Sequence, residues 1–344
     1  MITPFPGVPM NLTLYRTRDD WLAGRGIGAS EVAVILGLSP YAKPFDVYAR
    51  HRLGYTQPDN PDMAAGRAWE RPILVWYSDQ EGVEVVTLRD VEAEGWRCCM
   101  KDAEWATCSP DGLVVTPGHD LSYTDDSCTL DPLWGVEAKR SRVPREWGEP
   151  GEILAGATDL PIPAAYYTQC LWSMLVAGLD RWDLVAQVLG EGKVYQVHAD
   201  PARQVALFAK VKEWRERFIL GDEVPAVDGS DGADYWLREC YPTGATRREA
   251  TPEEIALARE YATVTASAKE LEEKKRLLSQ QLRDAAADLE GLDLPNGRVS
   301  IVRTKGRTTL DVKRLQVEEP TMYTRFARLG EPSHSVRVTL NEES

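Results

Sequence analysis

The sequence predicts an α/β fold: a central mixed sheet flanked by helices, followed by a long heptad helix and a small β-hairpin. Three observations carry this. Up to about residue 220, segments of helical periodicity alternate with short apolar runs, as when strands are threaded between helices. From Thr251 onward, apolar residues recur in steps of four and three without interruption. The composition, 43% apolar and 27% charged over 344 residues, is that of a soluble globular chain with room for one large domain and an appendage.

The elements follow in order. Ser30 is placed to cap a helix over 31–36 that Gly37 ends. Residues 45–52 read as a second short helix, stopped by Gly54. Residues 61–80 read as a long helix with Trp69, Ile73 and Trp76 on one apolar face. Pro72 inside it predicts a kink or a local break, because proline lacks an N–H and crowds the preceding turn. Strands are expected at 83–88, 96–100, 104–109, 113–116 and 134–139. Pro117-Gly118-His119-Asp120 and Thr124-Asp125-Asp126-Ser127 read as an extended turn-rich loop between the last two. A helix over 163–179 carries Gln169 on one face. A strand pair at 182–189 and 194–199 and a helix over 201–220 complete the core.

This gives a first domain over 1–225. Residues 226–250, rich in Gly, Asp and Pro, read as a linker whose Trp236 and Tyr241 dock on the core. The extension covers 251–344. Thr251 at the N-cap and Pro252 at the first helical position start a helix that Gly291 stops. Its seam is Leu257, Tyr261, Val264, Ala268, Leu271, Lys275, Leu278, Leu282, Ala285 and Leu289. So narrow a seam cannot bury itself, so it predicts pairing with a helix of this chain, a sister subunit or a partner. The plainer alternative is packing across its own first domain. Arg298, Arg303, Lys305 and Arg307 decorate an expected strand–turn–strand around Gly306, and 336–340 is a candidate third strand.

Other features exclude whole classes. No apolar run approaches the roughly 18 residues of a membrane span. Met1-Ile2-Thr3-Pro4-Phe5 lacks the basic-then-apolar order of a signal peptide. Six cysteines, with Cys98 and Cys99 adjacent and no C-x-x-C pair, read as reduced thiols of a cytoplasmic protein. They do not suit zinc or an iron–sulfur cluster.

Three strings carry chemistry. Gly66-Arg67-Ala68-Trp69-Glu70 offers a carboxylate from a helix. Ser109-Pro110-Asp111-Gly112 ends a strand at an acid in a turn. Val136-Glu137-Ala138-Lys139 is an apolar strand in which Glu137 and Lys139 point the same way. Each is ordinary alone: a Ser-Pro-Asp-Gly run is usually a turn, and Glu-x-Lys a solvated pair. Together they suit a phosphodiesterase. Mg²⁺ takes hard oxygen ligands, here Asp111, Glu137 and the carbonyl of Ala138, with Glu70 on a second ion or a water. Lys139, roughly 6–7 Å along the strand from Glu137, is placed to orient water or to steady charge on the phosphate. Mn²⁺ is expected to substitute.

The set resembles the PD-(D/E)xK nuclease superfamily, and within it the YqaJ-type viral recombinase and lambda-exonuclease family, over roughly residues 20 to 220. Arg25-Gly26-Ile27-Gly28-Ala29-Ser30-Glu31-Val32 is similar to the family's N-terminal segment, which implies that Arg25 and Ser30 bind a terminal 5′-phosphate. Gly66 and Glu70 match a Gly-x-x-x-Glu helix. Ser109-Pro110-Asp111-Gly112 matches the strand end at which Ser109 also meets phosphate. Glu137 and Lys139 match the Glu-x-Lys pair. Tyr167-Thr168-Gln169-Cys170-Leu171-Trp172-Ser173-Met174 matches the helix whose Gln169 faces the active site. The resemblance implies a restriction-endonuclease-like core and a bacteriophage Mg²⁺-dependent exonuclease in the cytoplasm of a bacterial host cell. Such an enzyme resects the 5′ strand of double-stranded DNA ends and leaves a 3′ overhang for a single-strand annealing protein. It also implies a homo-oligomeric ring around the DNA. The long stretch between Asp111 and Glu137 and the hundred-odd residues after the core depart from the pattern.

A net charge of −14 does not bar DNA binding, which needs a basic path, not a basic protein. Lys139, Arg140, Arg142 and Arg145 follow the acid strand and are candidates for one, as are the basic residues of the expected hairpin. Two alternatives stand: an endonuclease of the same superfamily, separated by its action on closed circles, and a non-catalytic DNA-binding or assembly module built around the heptad helix.

Overall fold

A period-two run opens the described chain: Met10, Leu12 and Leu14 are buried and Asn11 and Thr13 face out, so β1 (Met10–Tyr15) forms. The computed structural model describes residues 10–24, 26–119, 121–241, 247–302, 304–306, 308–328, 336, 338 and 339. Helices α1 (Arg18–Ala23), α2 (Ala29–Ile35), α3 (Pro44–Leu53) and α4 (Pro61–Glu81) follow. The cap of α2 is Gly28, whose N–H donates to Glu31 Oε2 at 3.2 Å, and Ser30 lies inside the first turn. The expected Ser30 cap is therefore displaced by two residues, because Glu31 reaches back to the backbone. Helix α4 runs through Pro72 without a break, so of the expected kink or local break the break is absent.

Strands β2 (Glu84–Val86), β3 (Gly95–Met100), β4 (Ala103–Cys108) and β5 (Gly112–Val115) come next. The segment read as a loop holds a hairpin instead, β6 (Ser122–Tyr123) and β7 (Ser127–Leu130), with Cys128 and Leu130 buried alternately. Then come β8 (Trp134–Ser141), β9 (Gly151–Ile153), α5 (Ala164–Ala177), β10 (Arg181–Val188), β11 (Glu191–His198) and α6 (Pro201–Arg215), which widens into a π turn over Glu216–Leu220.

These strands make two sheets, where the sequence led us to expect one. The first is antiparallel, in the order β4-β3-β1-β7-β6. The second is mixed, in the order β2-β5-β8-β10-β11-β9, with β8 and β10 parallel and β5 antiparallel to β8. Helix α5 touches β3 and β4 on one side and β8, β10 and β11 on the other. A helix between two sheets must be apolar nearly all round, and α5 is: Tyr167, Cys170, Leu171, Trp172, Met174 and Leu175 are all buried. Trp172 donates its indole N–H to Thr107 O at 3.0 Å, so burial leaves no orphan there. The order α4–β2–β5–β8–α5–β10 gives the expected α/β core, a central mixed sheet flanked by helices.

The supposed linker contains α7 (Asp231–Cys240). Ala233, Tyr235 and Trp236 pack with Phe45, Tyr48 and Tyr55. The first compact unit therefore extends to Cys240 and not to 225. Composition misled because Gly232 is there for closeness: a Cβ would sit 2.8 Å from the Asp46 Cα.

The second unit holds α8 (Pro252–Ala286), begun by a capping box in which Thr251 and Glu254 bond each other's backbone N–H. It ends at Ala286, short of Gly291. The hairpin is β12 (Gly291–Leu294) with β13 (Gly297–Ser300), joined at Pro295-Asn296. It lies upstream of the expected one: the described residues around Gly306 form no strand. Of residues 336–340, 337 and 340 lie outside the described residues, and 336, 338 and 339 are not strand. Two short helices, α9 (Val312–Glu318) and α10 (Pro320–Phe326), follow. No helix among the described residues is long and apolar enough to cross a membrane.

Candidate active site

Strand alternation splits β8 between two environments. Val136 and Ala138 face the cluster of Ile73, Leu74, Tyr77, Val114 and Val185, which joins the sheet to α4. Glu137 and Lys139 turn toward α5, where Gln169 Nε2 donates to Glu137 Oε1 at 2.6 Å. Lys139 Nζ pairs with the same oxygen and lies 5.3 Å from the centre of the Tyr166 ring. Glu137 is only 3% exposed, so those two donors are what make its burial tolerable.

Asp111 is held opposite. It lies just before β5, not at the end of β4 as its string suggested. Its N–H donates to Val136 O at 3.2 Å and its Oδ2 accepts from Ala138 N–H at 2.7 Å. Gly112 lets this corner close: a Cβ there would meet Val85 Cγ1 at 2.6 Å. The pairing of β5 with β8 ends at Val136. A strand residue's N–H and C=O point to the same side. The Ala138 carbonyl therefore points past the last β5 pairing, into the gap that Asp111 borders.

Glu70 reaches this gap from α4. Two turns along the helix, Tyr77 fixes its rotation: the phenol donates to Asp183 Oδ2 at 2.5 Å and accepts from Trp134 Nε1 at 2.9 Å. Asp183 is fully buried, and Arg181 grips it with two bonds of 2.7 and 2.6 Å.

The electrostatics report one shared space. Burial raises the Glu70 pKa, and the Glu137 carboxylate raises it further, against Lys139 and Arg67. Burial, then Glu137 and Glu70, push Asp111 well above the carboxylate range. Burial alone would lower Lys139, but Glu137 and Asp111 override it and the ammonium is held more firmly than usual. Burial lifts the Tyr166 phenol to about 12. Three carboxylates thus face one lysine, an excess of negative charge that a cation relieves. The donors are hard oxygens, as Mg²⁺ requires. Among the described residues, no three acid, His or Cys side chains are already drawn to one point. Lys139 and Gln169 hold Glu137 Oε1. The residues fit a divalent ion, which would draw them together.

The other expected residues divide. Ser109 is half-buried between β4 and Asp111. Ser30 is exposed on the first turn of α2. The segment before it leans on β4, with Ile27 N–H on Trp105 O at 2.8 Å and Thr107 N–H on Ile27 O at 3.0 Å. That brings the Ser30 turn alongside the strand leading to Ser109. Arg25 lies outside the described residues. Of the four basic residues after the acid strand, Lys139 is absorbed by the site. Arg140 lies over Trp69, with 5.2 Å from its guanidinium carbon to the ring centre, and Arg142 faces Asp62 at 3.5 Å. Arg145 sits on a 3-10 turn over Pro144–Glu146. Tyr166 was not foreseen; its place three residues before Gln169 on one helix face was the available signal.

Residues 20–180 match the family described as YqaJ-like viral recombinase domain, a span that includes every candidate from Arg25 to Gln169. Over those residues the chain is similar to the YqaJ-like viral recombinase domain. A Bacillus subtilis protein described as "Uncharacterized protein YqaJ" is 21% identical over 330 residues, spanning 91% of this chain and 94% of that protein. Among solved structures, an alkaline exonuclease from Laribacter hongkongensis superposes with a TM-score of 0.42 at 17% identity, over 64% of this chain and 97% of its own. The same exonuclease in complex with dAMP gives 0.42 at 16% identity, over 65% of this chain and 98% of its own. That similarity supports a nuclease role.

Proposed function

We propose that the chain is a Mg²⁺-dependent deoxyribonuclease that degrades the 5′ strand of linear duplex DNA from its end and leaves a 3′ overhang. The observation that carries this reading is the meeting of Asp111, Glu137 and Glu70 with Lys139 at the gap where β5 leaves β8. Asp111, Glu137, the Ala138 carbonyl and Glu70 would hold the metal, and Mn²⁺ would substitute. The bound ion supplies Lewis-acid polarisation of the phosphate and an acidified water. Lys139 holds its proton firmly, so it acts as a donor that orients water or steadies the charge on the phosphate. Gln169 fixes the Glu137 carboxylate in the rotamer the site needs. Arg25, Ser30 and Ser109 would grip the terminal 5′-phosphate. An annealing protein would receive the overhang, and a ring of subunits would keep the DNA threaded.

The test uses linear duplex with and without a 5′-phosphate beside a closed circle. Digestion should need Mg²⁺ or Mn²⁺, favour the phosphorylated ends and spare the circle. Arg25→Ala should slow the phosphorylated substrate far more than the 5′-hydroxyl one, since a guanidinium grips phosphate by two bonds. Cutting of the circle would favour an endonuclease.

A further inference from the structure

Consecutive residues on two elements build two different surfaces. On α4, Glu70 enters the acid gap, and Trp69, about 100° round the helix, stands 38% exposed. On β8, Lys139 enters the site and Arg140 emerges on the opposite, α4-facing side. Trp69 and Arg140 meet there, the guanidinium 5.2 Å from the ring centre. Beside them runs a groove of about 130 Å³ lined by Trp69, Pro72, Trp76, Gln187 and Gly190. Its floor is close-packed: a Cβ on Gly192 would lie 2.4 Å from the Trp76 ring. Arg140 and Gln187 are neighbours across the parallel β8–β10 pair. Pockets for drug-sized ligands hold roughly 300–1,000 Å³, so this groove takes one ring system and no more.

We propose that the Trp69–Arg140 pair and its groove form a nucleobase-binding subsite, which takes one unpaired base of the strand whose phosphate lies at the acid gap. The inference rests on the nuclease reading and deepens it. A tryptophan face and a guanidinium plane both stack on a base of any identity. The Gln187 amide offers a donor and an acceptor to the base edge. A base turned out beside the scissile phosphate fixes the strand without reading sequence, as a processive nuclease requires. Arg140 adds a positive charge beside the groove in an acidic chain, available to a phosphate of the bound strand.

The full-length chain is titrated in EDTA with a fluorescent thymidine oligonucleotide and with the same strand made abasic throughout. Trp69→Ala should weaken the thymidine strand roughly 5- to 100-fold and leave the abasic strand unchanged, and Trp69→Phe should restore most of the loss. Equal loss on both strands, or no loss, overturns the subsite. Because Trp69→Ala also removes packing, the wild-type chain provides a second reading. A 5-iodouracil strand irradiated on it should crosslink to the peptide holding Trp69 or Trp76, and crosslinks confined to other peptides overturn the proposal. Digestion of linear duplex by the wild-type chain is measured in parallel. If digestion proceeds and the base effects are absent, the subsite alone fails. If base-dependent binding appears without digestion, the nuclease reading fails.

Discussion

Helices α5 and α8 solve opposite problems. Nine of the 14 residues of α5 are buried, so tertiary packing holds it and its one polar site residue, Gln169, is placed rigidly. Of the 35 residues of α8 only Ala286 is buried, so its capping box and local pairs hold it while Leu271, Leu278 and Leu282 remain exposed. The first helix is finished inside its own chain. The second presents a seam that its own unit does not cover. The proposed chemistry belongs to the finished region, and association is expected of the unfinished one.

The comparison is broken most forcefully through Asp183. Asp183→Ala strands Arg181 and Tyr77 and loosens α4 from β10, and should cost about 3–5 kcal/mol, as when one partner of a buried pair is removed. Chemical denaturation checks it; a loss under about 1 kcal/mol would mean that the anchor does not hold Glu70 in place.

Next, Glu137→Gln and Lys139→Ala should each lower the cleavage rate at least about 10²- to 10³-fold at saturating Mg²⁺, at a temperature where circular dichroism shows the variant folded. Near-normal digestion by either variant would show that the site is misassigned.

Metal binding should register without any DNA. At a concentration about 100 times its dissociation constant, Mn²⁺ should add about 2.7 kcal/mol to the stability of the wild-type chain. Asp111→Asn should remove most of that gain. An equal gain in both would place the ion elsewhere.

The smallest stability effects belong to α8. Leu271→Ser, Leu278→Ser and Leu282→Ser together should leave melting of the first unit unchanged yet lower the sedimenting mass or abolish capture of an annealing protein. A drop in melting temperature with mass and capture unchanged would show the seam packing on its own chain. A chain ending at Cys240 should keep nuclease activity. One ending at Val224 should lose stability, because α7 would no longer cover Phe45 and Tyr48.

Much of the site was legible in the sequence because its chemistry is local. Glu137 and Lys139 share a strand face by alternation alone, and Ser-Pro-Asp-Gly fixes an acid beside a turn wherever it lies. The Thr251 cap and the heptad steps likewise place α8 within a few residues. Less legible were elements whose signal is short or diluted. Strands β6 and β7 sit among turn residues, and α7 among Gly and Asp, so composition masked them until packing selected them. Ser30 looks like a cap, but Glu31 wins because its carboxylate is buried against Arg50 and His51 and reaches the Gly28 N–H.

The sequence by itself determined the α/β class, a long helix with an exposed seam, and which residues are proposed to carry the chemistry. These depend on residue type and on periods of 2 and 3.6, which need no distant partner. Only the tertiary structure decided that a second sheet lies beyond α5 and that the first unit closes at Cys240. It alone set Asp111 against the backbone of Ala138 and Arg140 over Trp69. Those depend on which strand lies beside which, and that choice is made by burying both faces of one helix between two sheets.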